Sequence, residues 1–197
     1  MKFIKTFEIP IYETLISNTI EIDNMIRFVL DEQKKNNPEG VHKSNSGGYQ
    51  TDFLEHKDIM NKFISFISPH IDDLSKQIGL KEGYQVDLNG LWINENGIGH
   101  SNIPHTHPRC NFSGVYYSEV PANSGKLCIL NPLTEAVMEQ GHRFSSSSVY
   151  DGEHHFTPCK GYLVIFPAWL WHYVQENRGN DKRVSVAFNL AINNYVA

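Results

Sequence analysis

The chain has 197 residues, 40% hydrophobic and 20% charged, with a formal net charge of −5 and a pI near 6.0. This is an ordinary globular composition on a chain long enough to bury a core, and the acidic balance argues against a broad nucleic-acid-binding surface. No apolar run approaches the roughly 18 residues that a membrane-spanning helix needs.

Residues 2–12 form the first expected strand, with Phe3, Ile4, Phe7, Ile9 and Ile11 as its apolar content; they lack the apolar centre of a signal peptide. Asn18 followed by Glu21 reads as a capping box, and Ile22, Met25, Ile26 and Val29 keep helical spacing, so a helix is expected from about 19 to 35. Residues 36–52 carry Pro, Gly, Ser and Asn and read as a loop. A second helix is expected from about 56 to 79, with Ile59, Phe63, Ile67, Ile71, Leu74 and Ile78 on one side and Pro69 kinking or splitting it.

From residue 84 onward, short β-rich runs alternate with turn residues: "YQVDLNGLWINEN", "FSGVYYSEV", "GKLCILN", "GYLVIF", "WHYVQE" and "KRVSVAFNLAINNY". Such spacing predicts a barrel or jelly roll. The expected fold is therefore α+β, mainly β, in a single domain over 1–197. Residues 1–83 supply a strand and supporting helices, and 84–197 the β core. The three cysteines, Cys110, Cys128 and Cys159, are odd in number and form no C-x-x-C pair, which fits a reducing, cytoplasmic setting.

The densest chemical signal is "NIPHTHPRCNFSGVYY", residues 102–117. On an extended chain, which Pro104 and Pro108 favour, residues i and i+2 share a face, so His105 and His107 project into one space. His172, in "FPAWLWHYVQEN", offers a third imidazole from a remote strand. Ten histidines make a chance pair easy, so the pair alone does not settle a metal site. Arg183, in "KRVSVAFN", shares a strand face with Ser185. A guanidinium inside a barrel needs an anionic partner, and its planar fork suits a carboxylate.

A histidine pair, a distal histidine and an R-x-S about ten residues later stand in the order found in 2-oxoglutarate/Fe(II)-dependent oxygenases. More closely, "WINENGIGHSNIPHTHPRCNFSGVYYSEVPANSGKLCILNP" with "GYLVIFPAWLWHYVQENRGNDKRVSVAFN" resembles a family of 2-oxoglutarate/Fe(II) oxygenases of marine bacteria and phages, within the prolyl-hydroxylase-like superfamily. The resemblance covers about residues 84–190. It implies a double-stranded β-helix (the jelly roll shared with cupins) and the cofactors Fe(II), 2-oxoglutarate and O2. It also implies a dioxygenase that hydroxylates a substrate while releasing succinate and CO2. His105, His107 and His172 fall on the metal-ligand positions, Arg183 and Ser185 where the distal carboxylate of 2-oxoglutarate is held, and Tyr117 against the same carboxylate. Tyr117 rather than Tyr116 is the inward residue if Val115 also faces in. Asn94, on the preceding strand, is expected to contact cosubstrate or substrate.

Most such oxygenases use two histidines and one carboxylate. Here the middle position holds His107, a neutral ligand that leaves the metal one unit more positive and is too large for the halide gap of halogenating relatives. Glu119, Asp151 and Glu153 are the alternative carboxylates, although residues 151–155 read as a solvated loop. Trp92, Trp169 and Trp171 are expected in core or rim packing.

Two rival functions follow from the same residues. A cupin-type three-histidine dioxygenase without 2-oxoglutarate is echoed by Gly99, Gly161, Pro167 and His172, but leaves Arg183 and Ser185 without a role. A non-enzymatic jelly-roll module explains neither the order nor the spacing of the motifs. The expected partner is a small-molecule or peptide substrate, with no nucleic acid and no membrane; a homo-oligomer is compatible with the sequence.

Overall fold

Along β11 (Arg183–Asn194) the side chains alternate between two environments, as a strand requires. Val184, Val186, Phe188 and Leu190 enter an apolar core shared with two helices, whereas Arg183, Ser185, Ala187 and Asn189 line an internal cavity. The computed structural model describes residues 2, 8–54, 57–133 and 151–194.

The other elements are β1 (Tyr12–Leu15), α1 (Ile20–Asn36), β2 (Asn45–Ser46), β3 (Tyr49–Gln50), α2 (Lys57–Gln77), β4 (Tyr84–Asn96), β5 (Ser101–His105), β6 (Phe112–Glu119), β7 (Leu127–Leu130), β8 (Glu153–Phe156), β9 (Tyr162–Pro167) and β10 (His172–Val174). A major sheet runs β1-β9-β6-β11-β4-β3 and a minor sheet β2-β5-β10-β7-β8. All their pairings are antiparallel. Two facing sheets with helices on the outside of one form a double-stranded β-helix, as the run of short strands predicts.

Both helices cover the outer face of the major sheet. Ile22, Ile26 and Leu30 of α1 and Phe63, Ile67 and Ile71 of α2 pack with Leu91, Ile93, Tyr116 and Leu163. Polar bonds fix α1 at two points. Buried Asp23 accepts hydrogen bonds from Tyr116 Oη (2.8 Å), Ser118 Oγ (2.9 Å) and Thr19 Oγ1 (2.7 Å) and pairs with Lys160 (3.1 Å). Buried Glu95 is met by Arg27 (3.3 Å), Lys34 and Lys182 (3.0 Å). Burial pushes the Glu95 carboxyl upward, but Lys34 and Lys182 together outweigh it and hold its pKa below the usual value.

Four sequence expectations are corrected. Among the described residues the first strand begins at Tyr12; residues 8–11 of the expected strand, which include Pro10, are irregular, and 3–7 lie outside the described residues. Thr19, not Asn18, precedes α1; its hydroxyl is spent on Asp23, and Asn18 sits at φ +58°. Pro69 does not split α2, which is one helix over Lys57–Gln77, and Ser68 Oγ donates to Ser65 O, the carbonyl that the missing proline N–H leaves free. The loop 36–52 contains β2 and β3, short strands that join different sheets on either side of Gly47 and Gly48.

Gly114 stands opposite Phe188 in the β6–β11 register, and a Cβ there would lie 2.2 Å from the phenyl ring. Gly114→Ala is expected to lower stability by ~1–3 kcal/mol through overpacking. Chemical denaturation checks this, with partial recovery expected in Gly114→Ala/Phe188→Leu.

Candidate metal centre and cosubstrate pocket

His105 closes β5 and stands directly opposite His172, the first residue of β10. The chain leaves the strand after His105, and His107 is fixed by its backbone N–H donating to Ala168 O at 2.9 Å. The strand therefore ends two residues earlier than the extended reading of 103–107 supposed, yet both side chains enter one space. The ring centroids are 5.0 Å apart for His105–His107, 4.3 Å for His105–His172 and 5.1 Å for His107–His172. One ligating atom from each ring lies within 4.8 Å of those of the other two.

The rings are oriented for ligation. His105 Nδ1 donates to Ile103 O (2.7 Å) and His172 Nδ1 to Leu170 O (2.9 Å), which leaves each Nε2 to face the shared space. His107 Nε2 lies 3.2 Å from His172 Nε2. Trp92 flanks His107 at 5.6 Å, and Phe166 meets His172 edge-on at 4.7 Å. Burial lowers all three imidazole pKa values, His107 to about 4 and His172 to about 3, with the neighbouring histidines adding to the effect at these two. Three neutral imidazoles with converging lone pairs form a set that binds a transition-metal cation.

The triad lies at one side of a cavity of about 480 Å³ that also contains Arg183, Ser185, Tyr117 and Asn94. Ser185 pairs in register with both Asn94 and Tyr117, so these three side chains form one cross-strand row. Tyr117 faces the cavity and Tyr116 the helices, as the alternation with Val115 requires. Arg183 is 1% exposed. Its Nη1 donates to Ser124 O and, at 3.5 Å, to Gly125 O, while its Nε has no partner. Among the described residues no carboxylate pairs with it. Burial lowers the Arg183 pKa and raises that of Tyr117 to about 12, with each group's charge partly offsetting the other's shift. A buried guanidinium with an unused donor in a polar recess is what an incoming carboxylate would complete.

The alternative carboxylates are engaged elsewhere. Glu119 takes Arg27 Nε at 2.9 Å on the helix side of the major sheet. Glu153 accepts from Tyr173 Oη (2.7 Å) and contacts His155 Nε2 (2.6 Å), and Asp151 is exposed. Residues 153–156 are the edge strand β8 rather than solvated loop, because β7 supplies a pairing partner. Trp92 is buried against the triad, whereas Trp169 and Trp171 are each 56% exposed and so not core. Sequence reasoning overlooked Gln50 and Thr51, hidden in the supposed loop, and Asn189, which the two-residue period from Arg183 through Ser185 and Ala187 could have revealed.

A family model described as "Putative 2OG-Fe(II) oxygenase" matches residues 90–189. The chain belongs to this family. It is a 2-oxoglutarate/Fe(II)-dependent oxygenase, and the two rival functions are set aside. Solved structures share its fold at low identity. A prolyl-4-hydroxylase from Pseudomonas putida is 12% identical, with 93% of this chain and 92% of that one covered at a TM-score of 0.58. The viral collagen prolyl hydroxylase of Paramecium Bursaria Chlorella virus-1, in its 2OG complex, is 10% identical over 91% and 94%, with a TM-score of 0.55. HygX from Streptomyces hygroscopicus, with nickel and 2-oxoglutarate bound, is 10% identical over 93% and 82%, with a TM-score of 0.57. No curated protein sequence matches the chain.

Because the imidazole pKa values of the folded oxygenase lie below the ordinary 6.5, the unfolded chain binds more protons as pH falls from 6.5 toward about 4. Stability of the metal-free protein is expected to fall over that window. Urea midpoints across it check this, and His107→Ala/His172→Ala should show a shallower decline.

Proposed function

We propose that His105, His107 and His172 hold the Fe(II) ion, and that Arg183, Ser185 and Tyr117 hold the distal carboxylate of 2-oxoglutarate, with Asn94 beside it. The observation that carries this reading is Arg183, a buried cation with an unpartnered Nε in the same cavity as three convergent neutral imidazoles. When bound, the iron with O2 supplies oxidative decarboxylation of 2-oxoglutarate to succinate and CO2, coupled to hydroxylation of a substrate C–H bond.

The chain's own residues supply position and electrostatics. Arg183, braced by the carbonyls of Ser124 and Gly125, presents its remaining donors to the carboxylate. The Ser185 and Tyr117 hydroxyls add uncharged donors from the same row. Burial keeps the phenol protonated, and a protonated phenol can donate. Gly125 adopts φ +83°, and a Cβ there would meet Gln175 O at 2.2 Å, so the turn that braces Arg183 depends on glycine. Ile103 O and Leu170 O fix the tautomers of His105 and His172, while Trp92 and Phe166 screen the rings from water.

His107 as third ligand is supported by the engagement of Glu119 and Glu153 elsewhere. A neutral triad leaves the metal more positive than a carboxylate-bearing one, which favours the dianionic cosubstrate. Exposed Phe53 and Ile103, together with Lys43, border the cavity and suit a small molecule or a peptide side chain. The quoted motifs support kinship with the marine bacterial and phage members. Three free cysteines support a cytoplasmic setting, and no described helix is long and apolar enough to cross a membrane.

Anaerobic titration of metal-free protein with Fe(II) and then 2-oxoglutarate tests the assignment. A visible charge-transfer band that requires both additions is expected. Arg183→Ala should weaken 2-oxoglutarate binding roughly 10- to 150-fold, the loss of a charge-assisted bond worth ~1.5–3 kcal/mol. His107→Ala should lose iron, and His107→Asp should retain it; unchanged binding in Arg183→Ala would overturn the cosubstrate site.

A further inference from the structure

β7 and β8 carry a second convergent set of ligating groups on the face opposite the triad. Leu127 and Ile129 of β7 and Phe156 of β8 point into the apolar cluster between the sheets, so alternation turns Cys128, His155 and Glu153 to the other face. Cys128 and His155 are direct cross-strand partners, and Glu153 lies two residues from His155 on the same side. A thiol sulfur, an imidazole nitrogen and a carboxylate oxygen from these residues lie within 4.8 Å of one another.

Neighbouring contacts hold the donors together. Glu153 Oε1 lies 2.6 Å from His155 Nε2, and Glu153 Oε2 accepts from Tyr173 Oη at 2.7 Å. Tyr173 also pairs in register with Cys128. The Cys128 residue is fully buried, while His155 and Glu153 are partly open to solvent, which gives an ion a route in. Sulfur and imidazole nitrogen select against Mg2+ and Ca2+, which take all-oxygen shells, and match the mixed donor preference of Zn2+.

We propose that Cys128, Glu153 and His155 form a second metal site that takes Zn2+ or a comparable thiophilic divalent ion, with water or the Tyr173 hydroxyl completing the shell. Binding displaces the Cys128 thiol proton to solvent and leaves thiolate, imidazole and carboxylate on the ion. The site ties β7 to β8 and, through Tyr173, touches β10, whose first residue His172 belongs to the histidine triad. Its role is to stiffen the strands behind the triad rather than to react.

The test is a Co2+ titration of chelator-stripped full-length protein followed in the near ultraviolet, where thiolate ligation gives an intense charge-transfer band. The histidine triad contains no sulfur and cannot give the band, and Cys128→Ser distinguishes the outer site from the free thiols of Cys110 and Cys159. The band is expected in the unmodified protein, retained in His172→Ala, lost in Cys128→Ser, and shifted to roughly tenfold or more weaker Co2+ binding in His155→Ala. Absence of the band in the unmodified protein, or its survival in Cys128→Ser, overturns the proposal. Should Cys128→Ser fail to fold, His155→Ala decides, and undiminished Co2+ affinity there overturns it equally. Loss of Fe(II) binding in His172→Ala with the thiolate band intact separates this site from the triad.

Discussion

A full positive charge in a closed interior has to be justified by something, and at Arg183 the protein supplies only part of the justification. Two backbone carbonyls solvate one end of the guanidinium, and no carboxylate of the described residues neutralises it. An arriving anion would offset the cost of that arrangement. Much else is arranged around this constraint: the glycine turn that offers the carbonyls, the polar row of Asn94, Ser185 and Tyr117 on β4, β11 and β6, and the helices that shield the strands from the far side.

The major sheet keeps its two tasks apart by the simple period of a strand. One set of residues on β11, β6 and β4 is apolar and belongs to the helices; the interleaved set is polar and belongs to the cavity. Stability and ligand binding are thus written on opposite faces of the same backbone. The charged network at Glu95 and Glu119 lies on the helix side, which is why a carboxylate close in sequence to the cavity residues does not reach the histidine cluster.

The β core was legible because its strands are long or strongly alternating: the run 84–96 is recovered as β4 residue for residue, and β11 within a residue or two. His105, His107, His172, Arg183, Ser185, Tyr117 and Asn94 do share one cavity, because period-two alternation and motif order survive folding. Other features depended on tertiary partners. β3 and β8 are too short or too polar to announce themselves and exist because β4 and β7 offer edges to pair with. The helix cap is Thr19 rather than Asn18, with the Thr19 hydroxyl bonded to Asp23 under the sheet, a tertiary demand invisible in local capping chemistry. Trp169 and Trp171 look like core residues by type, yet both stand exposed beside buried neighbours.

The pairing of His105 with His172 across two antiparallel strands also has a topological meaning. His107 and His172 are 65 residues apart in sequence, so an ion shared among these histidines would close a loop that takes in β6 through β9. Closing so long a loop in an unfolded chain carries a large entropic penalty, whereas in the folded protein the penalty has already been met by the sheets. Metal capture would therefore follow folding, and an ion held there would act as a clasp on this end of the barrel, tying the end of β5 to the start of β10.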